Sequence, residues 1–456
     1  MYTLPSKLKV FAIIFMVIGA LGMTYSFMYG PKTTADVKEM MADHDDHGAT
    51  HAEESHEVVA DGEGHDEMTA AAAHRAEGDH DADAAHGEEK HLQHTLDQMK
   101  NRPWSALYIA CFFFFMIALG VLAFYAINYA AQAGWSPVLF RVMEAITAYL
   151  VPGGIIMFVL LALAGFNMNH LFVWADPDIV AHDKLLQGKA GWLNGTGLLI
   201  RAAVFLGGWI LYRQFAVRNS RRDDEASDNK WYKRNFRISA AFLVFFIYTE
   251  SIMSWDWLMS FDPHWFSTLY GWYVFAGMMV CGITTIAIIT ILLKSQGYLE
   301  FVNDSHIHDL AKFMFGFSIF WTYLWFSQFM LIWYANIPEE VTYFVTRIED
   351  FKLPFFGMVG LNFLFPVLLL MNSDYKRINW FVVLTGIVIL AGHYIDVYMM
   401  ITPATVGKSW FIGLPEISAV LFFFGLFVLV VFSALTKAPL LVKNNPFIKE
   451  SKNFHY

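Results

Sequence analysis

Cysteine is nearly absent from this chain of 456 residues: Cys111 and Cys281 stand singly, with no CxxC, no CxxCH and no cluster of thiols. An iron–sulfur centre or an attached c-type haem held by this chain alone is close to excluded, and the two thiols read as core residues. Charge is scarce too, at 16% of residues against 56% hydrophobic, with 43 Phe and 15 Trp. That composition describes an integral membrane protein rather than a soluble domain with an anchor, and offers no basis for nucleic-acid binding. Histidine is missing from the interior of the apolar stretches except at His393, with His170 at an end, so the paired axial ligands of a b-type cytochrome are lacking.

What the chain has is ten apolar stretches, read as membrane helices at 10–29, 106–129, 143–165, 197–217, 238–259, 271–293, 313–335, 354–372, 379–399 and 415–434. Each approaches the roughly 20 residues that cross about 30 Å of hydrocarbon at about 1.5 Å per residue. The first stretch follows Lys7 and Lys9 as a signal peptide would, but its apolar run is too long and no small-x-small cleavage site follows. It is therefore kept as a helix, giving a first span within 1–29, a membrane domain over 105–435 and a tail over 436–456.

The basic residues fall mostly on alternate sides. With the N-terminus in the cytoplasm, nineteen of the thirty-one Lys and Arg lie inside, including eight in the short run from Arg213 to Arg237. Such a loop crosses a membrane with great difficulty, so both termini are predicted cytoplasmic. Residues 30–104 are a different material, with nineteen Asp or Glu against six Lys or Arg and ten of the seventeen histidines. High charge and low hydrophobicity predict a mostly disordered external loop, with a short helix near 91–101. Imidazole with carboxylate suits zinc or copper, but no fixed ligand spacing is present, so a solvated, weakly metal-binding loop is expected and no metal site is assigned.

Ionisable groups inside the spans are the informative minority, because one placed in hydrocarbon costs several kcal/mol unless paired or wet. Glu144 lies near the inner end of the third span, Glu250 past the midpoint of the fifth, and His393 with Asp396 in the outer part of the ninth; Asn167, Asn169, His170, Arg201, Asp256, Asp262 and His264 gather at the external ends. Glu144, Glu250, Asp256, His393 and Asp396 are candidates for a proton relay. Each has a plainer reading. Glu144 could extend to the interface near Arg141, Glu250 could act as packing glue, and Arg201 could simply neutralise an external carboxylate. His393 and Asp396, three apart on one face, let a carboxylate orient an imidazole. Ser251 and Ser254 could extend a hydrogen-bonded chain from Glu250.

Aromatic runs are the other signal, notably Ser254-Trp255-Asp256-Trp257, Phe261-Asp262-Pro263-His264-Trp265-Phe266 and Trp321-Thr322-Tyr323-Leu324-Trp325-Phe326-Ser327-Gln328. Most such residues form belts at the bilayer interface. A quinone head group would also want flat aromatic walls and a group to exchange its protons, and His170, Arg201, Asp256 and His264 are candidates to surround one.

The run from Thr249 through Glu250, Asp256 and Asp262 to Trp265, and that from Trp325-Phe326-Ser327-Gln328 to Leu331-Ile332-Trp333-Tyr334-Ala335-Asn336-Ile337-Pro338-Glu339-Glu340, resemble an NrfD-like (polysulfide-reductase-type) membrane subunit. The closer resemblance is to the second such subunit of bacterial alternative complex III, a quinol:cytochrome c oxidoreductase. It extends over about 105–435 and leaves the acidic loop aside. It implies an all-α membrane protein of two four-helix bundles, spans two to five and six to nine, flanked by the first and last spans, in the bacterial inner (cytoplasmic) membrane. It further implies partners: a companion NrfD-like subunit, an iron–sulfur subunit, multihaem and monohaem cytochrome c subunits, a terminal oxidase and the surrounding lipid. Menaquinol would be the substrate of the complex, with no cofactor bound by this chain alone. The resemblance further implies that the companion subunit is the usual candidate for quinol oxidation, using a His and an Asp near the outer ends of its third and fourth spans. Here His170 stands for the first, but the fourth span begins with Arg201 rather than an acid, which favours a scaffolding or proton-conducting role over quinol oxidation. Three alternatives stay in view: a quinone-binding subunit in its own right; a secondary transporter, against which no matched pair of Gly/Pro-broken short helices is present; and a b-type cytochrome, against which only His393 lies well inside a span.

Overall fold

The computed structural model describes residues 2–31, 33–36, 38, 77–408 and 411–455, without the side chains of 77–91 and 94. Among them every regular element is helical. Ten helices are long and apolar enough to cross a membrane: Ser6–Met28, Thr95–Ala130, Pro137–Gly165, Gly195–Asp223, Lys230–Phe261, Tyr270–Ser295, Asp304–Ala335, Lys352–Leu370, Asn379–Thr405 and Leu414–Leu435. Every expected span is present, and the chain is a multi-pass membrane protein. Its outward faces carry exposed Ile155, Val159, Leu211, Val244, Leu368 and Ile387, as a lipid-facing surface requires.

The second span differs most from expectation, since its helix runs without interruption from Glu77 to Ala130 and passes through Pro103. The short helix expected near 91–101 is thus the leading part of a spanning helix. The rest of the expected acidic loop falls largely outside the described residues.

Burial ranks the helices. Of the most apolar window in each, 94% is buried in the second span and 89% in the sixth, against 17% in the first. The second and sixth spans pack on each other and form the centre. Around them the second, third, fourth and fifth spans meet in a ring of neighbours, as do the sixth, seventh, eighth and ninth; the first span lies along the tenth. Apolar helices gain little from burial against one another in lipid, so close backbone approach at small residues does the packing. A Cβ at Gly120 would fall 2.2 Å from the Met278 carbonyl oxygen and one at Gly282 2.9 Å from the Val121 nitrogen. Gly120→Ala is therefore expected to destabilise the detergent-solubilised protein by about 1–3 kcal/mol through overpacking at the centre. Gly207→Ala, whose Cβ would meet nothing within 4 Å, is the control that should leave thermal unfolding unchanged.

Two local features shape the site. In the eighth span the helix widens to a π-turn over Gly360–Leu364, which ends two residues before Pro366. Proline has no N–H for the carbonyl four residues back and its ring crowds that carbonyl, which is a physical cause of such a widening. The seventh span opens on a capping box in which the Asn303 side chain accepts from the backbone N–H of His306, and closes at Asn336 in the left-handed region, φ 49°.

The chain's tail covers one end of the bundle. Ser451 donates its hydroxyl to the Trp135 carbonyl at 2.7 Å and accepts the Val138 N–H at 3.2 Å, while its carbonyl lies 3.0 Å from His306 Nε2. The other end is covered by short helices, Pro177–His182, Lys184–Lys189 and Pro338–Glu349.

Candidate functional site: buried ionisable groups within the helices

Asp396 is 1% exposed and His393 fully buried, one helical turn apart on the ninth span. The carboxylate is held from three helices. Tyr273 on the sixth span donates its hydroxyl to Asp396 Oδ1, and Trp321 on the seventh donates its indole N–H to Oδ2 at 2.9 Å. His393 Nδ1 lies 3.4 Å from the same Oδ2. The imidazole also meets Trp321 edge to face, ring centroids 5.2 Å apart, and its Nε2 has no hydrogen-bond partner. Gly277 makes the room, since a Cβ there would sit 3.6 Å from both His393 Nδ1 and Trp321.

Further polar groups flank this pair. Asn362, on the π-turn, is fully buried with neither side-chain amide atom partnered, and Gly392 lies against it so closely that a Cβ would fall 2.2 Å from Asn362 Oδ1. Toward the tail end, the buried hydroxyls of Ser318 and Thr284 also lack partners. Toward the other end, a small cavity of about 10 Å³ is lined by Tyr273, Gln328, Tyr343, Arg347 and Asp396. That is room for about one water molecule. The Arg347 guanidinium lies 3.3 Å from the centre of the Tyr343 ring, and burial pushes that phenol up from its ordinary value, so it stays a neutral donor.

Neither a protein-family model nor a curated protein matches this chain. The site is therefore read from its own geometry.

Asp256, on the fifth span, is 1% exposed and fully engaged. Arg201 Nε lies 2.5 Å from its Oδ2 and Nη2 3.2 Å from Oδ1, while the Trp192 indole donates to Oδ1 at 2.8 Å. Arg201 does neutralise a carboxylate at a span end, and the indole ring lies 4.3 Å from the guanidinium carbon, where cation–π attraction adds to the pair. Six residues deeper, Glu250 is 2% exposed and its Oε1 has no partner. It faces the protein interior rather than lipid. Ser251 and Ser254 donate to carbonyls of their own helix, Ile247 O at 3.0 Å and Ser251 O at 2.7 Å. The fifth and ninth spans both pack against the sixth, where Gly271 abuts Ser251 and Tyr273 reaches Asp396.

The remaining candidates are dispersed. Glu144 is saturated near the tail end, with Arg141 Nη1 at 2.6 Å and the Tyr125 hydroxyl at 3.1 Å. Of the four residues considered for a quinone, the structure joins Arg201 with Asp256. His170 is exposed with φ 44°, its carbonyl accepting from Asn101 Nδ2 at 3.1 Å. His264 is engaged with Asp183 at 2.6 Å. The aromatic runs divide: Trp257, Trp265 and Trp321 are buried inside the protein, whereas Phe266, Tyr323 and Phe326 are exposed. Among the described residues, no group of three His, Cys, Asp or Glu side chains is placed to hold a metal ion.

The His264 tether has its own pH dependence. The backbone N–H of Leu186, then His264 and the N–H of Leu185, hold the Asp183 carboxyl below its ordinary value. A depressed carboxyl contributes stability above its unfolded pKa, about 3.9, and loses it as pH falls through the folded value. Hydrogen-exchange protection of the Leu185 and Leu186 amides is expected to fall as pH drops below about 4. In Asp183→Asn that acid-induced loss should be absent.

Proposed function

We propose that this chain is a membrane subunit of a respiratory quinol:cytochrome c oxidoreductase, of the NrfD-like kind found in alternative complex III, which braces the complex and conducts protons. The observation that carries the proton role is Asp396, buried inside a spanning helix and held by Tyr273, Trp321 and His393. A buried carboxyl supported in this way is expensive in a membrane and is kept where protons move. The unpartnered His393 Nε2, Asn362, Ser318 and Thr284 support a wet row on the tail side, because buried polar atoms of this sort are met by ordered water. Glu250, with its free oxygen inside the other ring of helices, is the second proton-handling group.

The assignment to that complex rests on the resemblance of the runs around Glu250 and Trp325. The two rings of neighbouring helices support an arrangement of two four-helix bundles flanked by the first and tenth spans. Both termini would then lie in the cytoplasm of a bacterium, with the basic Arg213 to Arg237 connection. Menaquinol is oxidised elsewhere in this reading, since Arg201 and Asp256 satisfy each other, His264 is held by Asp183 and the His170 side chain is exposed. Iron–sulfur and c-haem subunits, a companion NrfD-like subunit and a terminal oxidase are the expected partners.

Mild-detergent purification of the tagged chain tests the reading, with identification of co-purifying subunits and a quinol:cytochrome c assay on wild type and Glu250→Gln. Haem-bearing and iron–sulfur proteins should co-purify, and the intact variant complex should lose turnover and proton release. A chain that purifies without such partners would return the transporter reading to the front.

A further inference from the structure

A second cavity, which shares no lining residue with the one beside Asp396, lies near the tail end between the third, fourth and tenth spans. It measures about 690 Å³, within the range of sites that hold a ligand, and opens to the surface. Its upper wall is cationic, with Arg141, Arg213, Arg218, Arg221, Arg222 and Lys437 against only two carboxylates, Glu144 and Glu225.

These cations are not equivalent. Arg141 is used by Glu144 and Asp224 within the protein, and the Arg222 guanidinium sits 4.8 Å from the Trp231 ring centre. Arg213 reaches only neutral oxygens, Thr147 Oγ1 at 3.3 Å and the Glu144 carbonyl at 3.5 Å. Among the described residues, no carboxylate forms an ion pair with Arg213, Arg218, Arg221 or Lys437. Four unpaired cations on one concave wall invite an anion. Deeper along the spans the lining is apolar, with Ala148 and Val151 of the third and Leu429 and Val430 of the tenth. Cationic above and apolar below, at the end of spanning helices, is the profile of a phosphate ester that carries hydrocarbon.

We infer that this cavity binds an anionic phospholipid, its phosphate against Arg213, Arg218, Arg221 and Lys437 and an acyl chain in the crevice between Val151 and Leu429. The inference needs only that the ten helices cross a bilayer and does not rest on the respiratory reading. A soluble phosphate shares the head-group chemistry but has nothing to place against the apolar wall. The geometry therefore favours the lipid.

The test uses the full chain, with whatever subunits co-purify, depleted of lipid in mild detergent. Dioleoylphosphatidylglycerol, dioleoylphosphatidylcholine and sodium phosphate are added in turn, with native mass spectrometry and thermal unfolding as readouts. Phosphatidylglycerol should bind and raise the unfolding temperature. It should bind at least about tenfold more weakly to Arg218→Gln/Arg221→Gln/Lys437→Gln, each lost charge-assisted contact being worth at least that factor. All three side chains are exposed, so the variant keeps the fold; Arg213→Gln, a deeper change, should weaken binding further. Equal binding of the zwitterionic lipid, an undiminished affinity in the triple variant, or no binding to wild type would overturn the inference. Stabilisation by sodium phosphate equal to that by the anionic lipid would assign the cavity to a soluble anion instead.

Discussion

On the proposed proton-conducting role, replacing Asp396 with asparagine is expected to lower proton-coupled turnover roughly 10²-fold, the lower end of what a positioned acid or base contributes. The folded protein should survive the change. Asparagine keeps the shape, its oxygen can still accept the Trp321 indole N–H, and its amide can donate to the Tyr273 oxygen once that hydroxyl turns away. What is lost is the ability to take up and release a proton. Asp396→Leu is the contrasting variant. It leaves the Tyr273 O–H and Trp321 N–H buried without acceptors, at about 1–3 kcal/mol each, so its defect should appear in thermal unfolding before it appears in activity. Turnover, proton release in proteoliposomes and melting of both variants separate the two effects. Normal proton release in an intact Asp396→Asn complex would remove this group from the relay.

The largest single loss of stability is expected at Arg201. Methionine at that position keeps much of the stem but takes away the cation, leaving Asp256 with the Trp192 indole as its remaining partner. Breaking a buried pair from one side costs about 3–5 kcal/mol because an uncompensated charge stays inside. The double variant Arg201→Met/Asp256→Leu should recover most of that loss, since a buried ion pair exchanged for apolar groups of similar volume is often close to neutral. Arg201→Lys should fall between the two, as an ammonium cannot reproduce the two-pronged contact to both carboxylate oxygens. Chemical or thermal denaturation of wild type, the Arg201→Met and Asp256→Leu single variants and the double variant forms a double-mutant cycle. An Arg201→Met protein as stable as wild type would show that solvent reaches Asp256.

The spanning helices were legible because each needs only about twenty consecutive apolar residues, a property local to the sequence. The partners of the buried groups were not, because they come from distant segments. Asp396 is served by Tyr273 and Trp321, and Asp256 by Trp192 and Arg201, all on other elements. Arg201 was legible as a neutralising group because a lone cation at a span end needs an anion. Trp321 sits in an aromatic run whose composition suggests an interfacial belt, and nothing local distinguishes a buried tryptophan from an interfacial one. Asn362 carried a weaker signal: an amide four residues before a proline inside an apolar run, where a widened turn is plausible on steric grounds. The backward extension of the second helix to Glu77 was hidden by composition, since acidic and His-rich residues read as coil unless something positions them.

The pairing of the first span with the tenth bears on how the molecule is made. The contact is intimate: a Cβ at Gly19 would fall 2.5 Å from the Phe422 nitrogen, and one at Gly425 2.5 Å from the Ala12 carbonyl oxygen. A ribosome makes the first helix long before its partner, which begins only at residue 414. Throughout synthesis the first helix must wait in lipid, or in the care of the insertion machinery, while eight others assemble. A chain whose translation stalls late would therefore already hold its buried acid and its central helices, yet present an open seam along one side, a mark by which a membrane protease could tell unfinished molecules from finished ones.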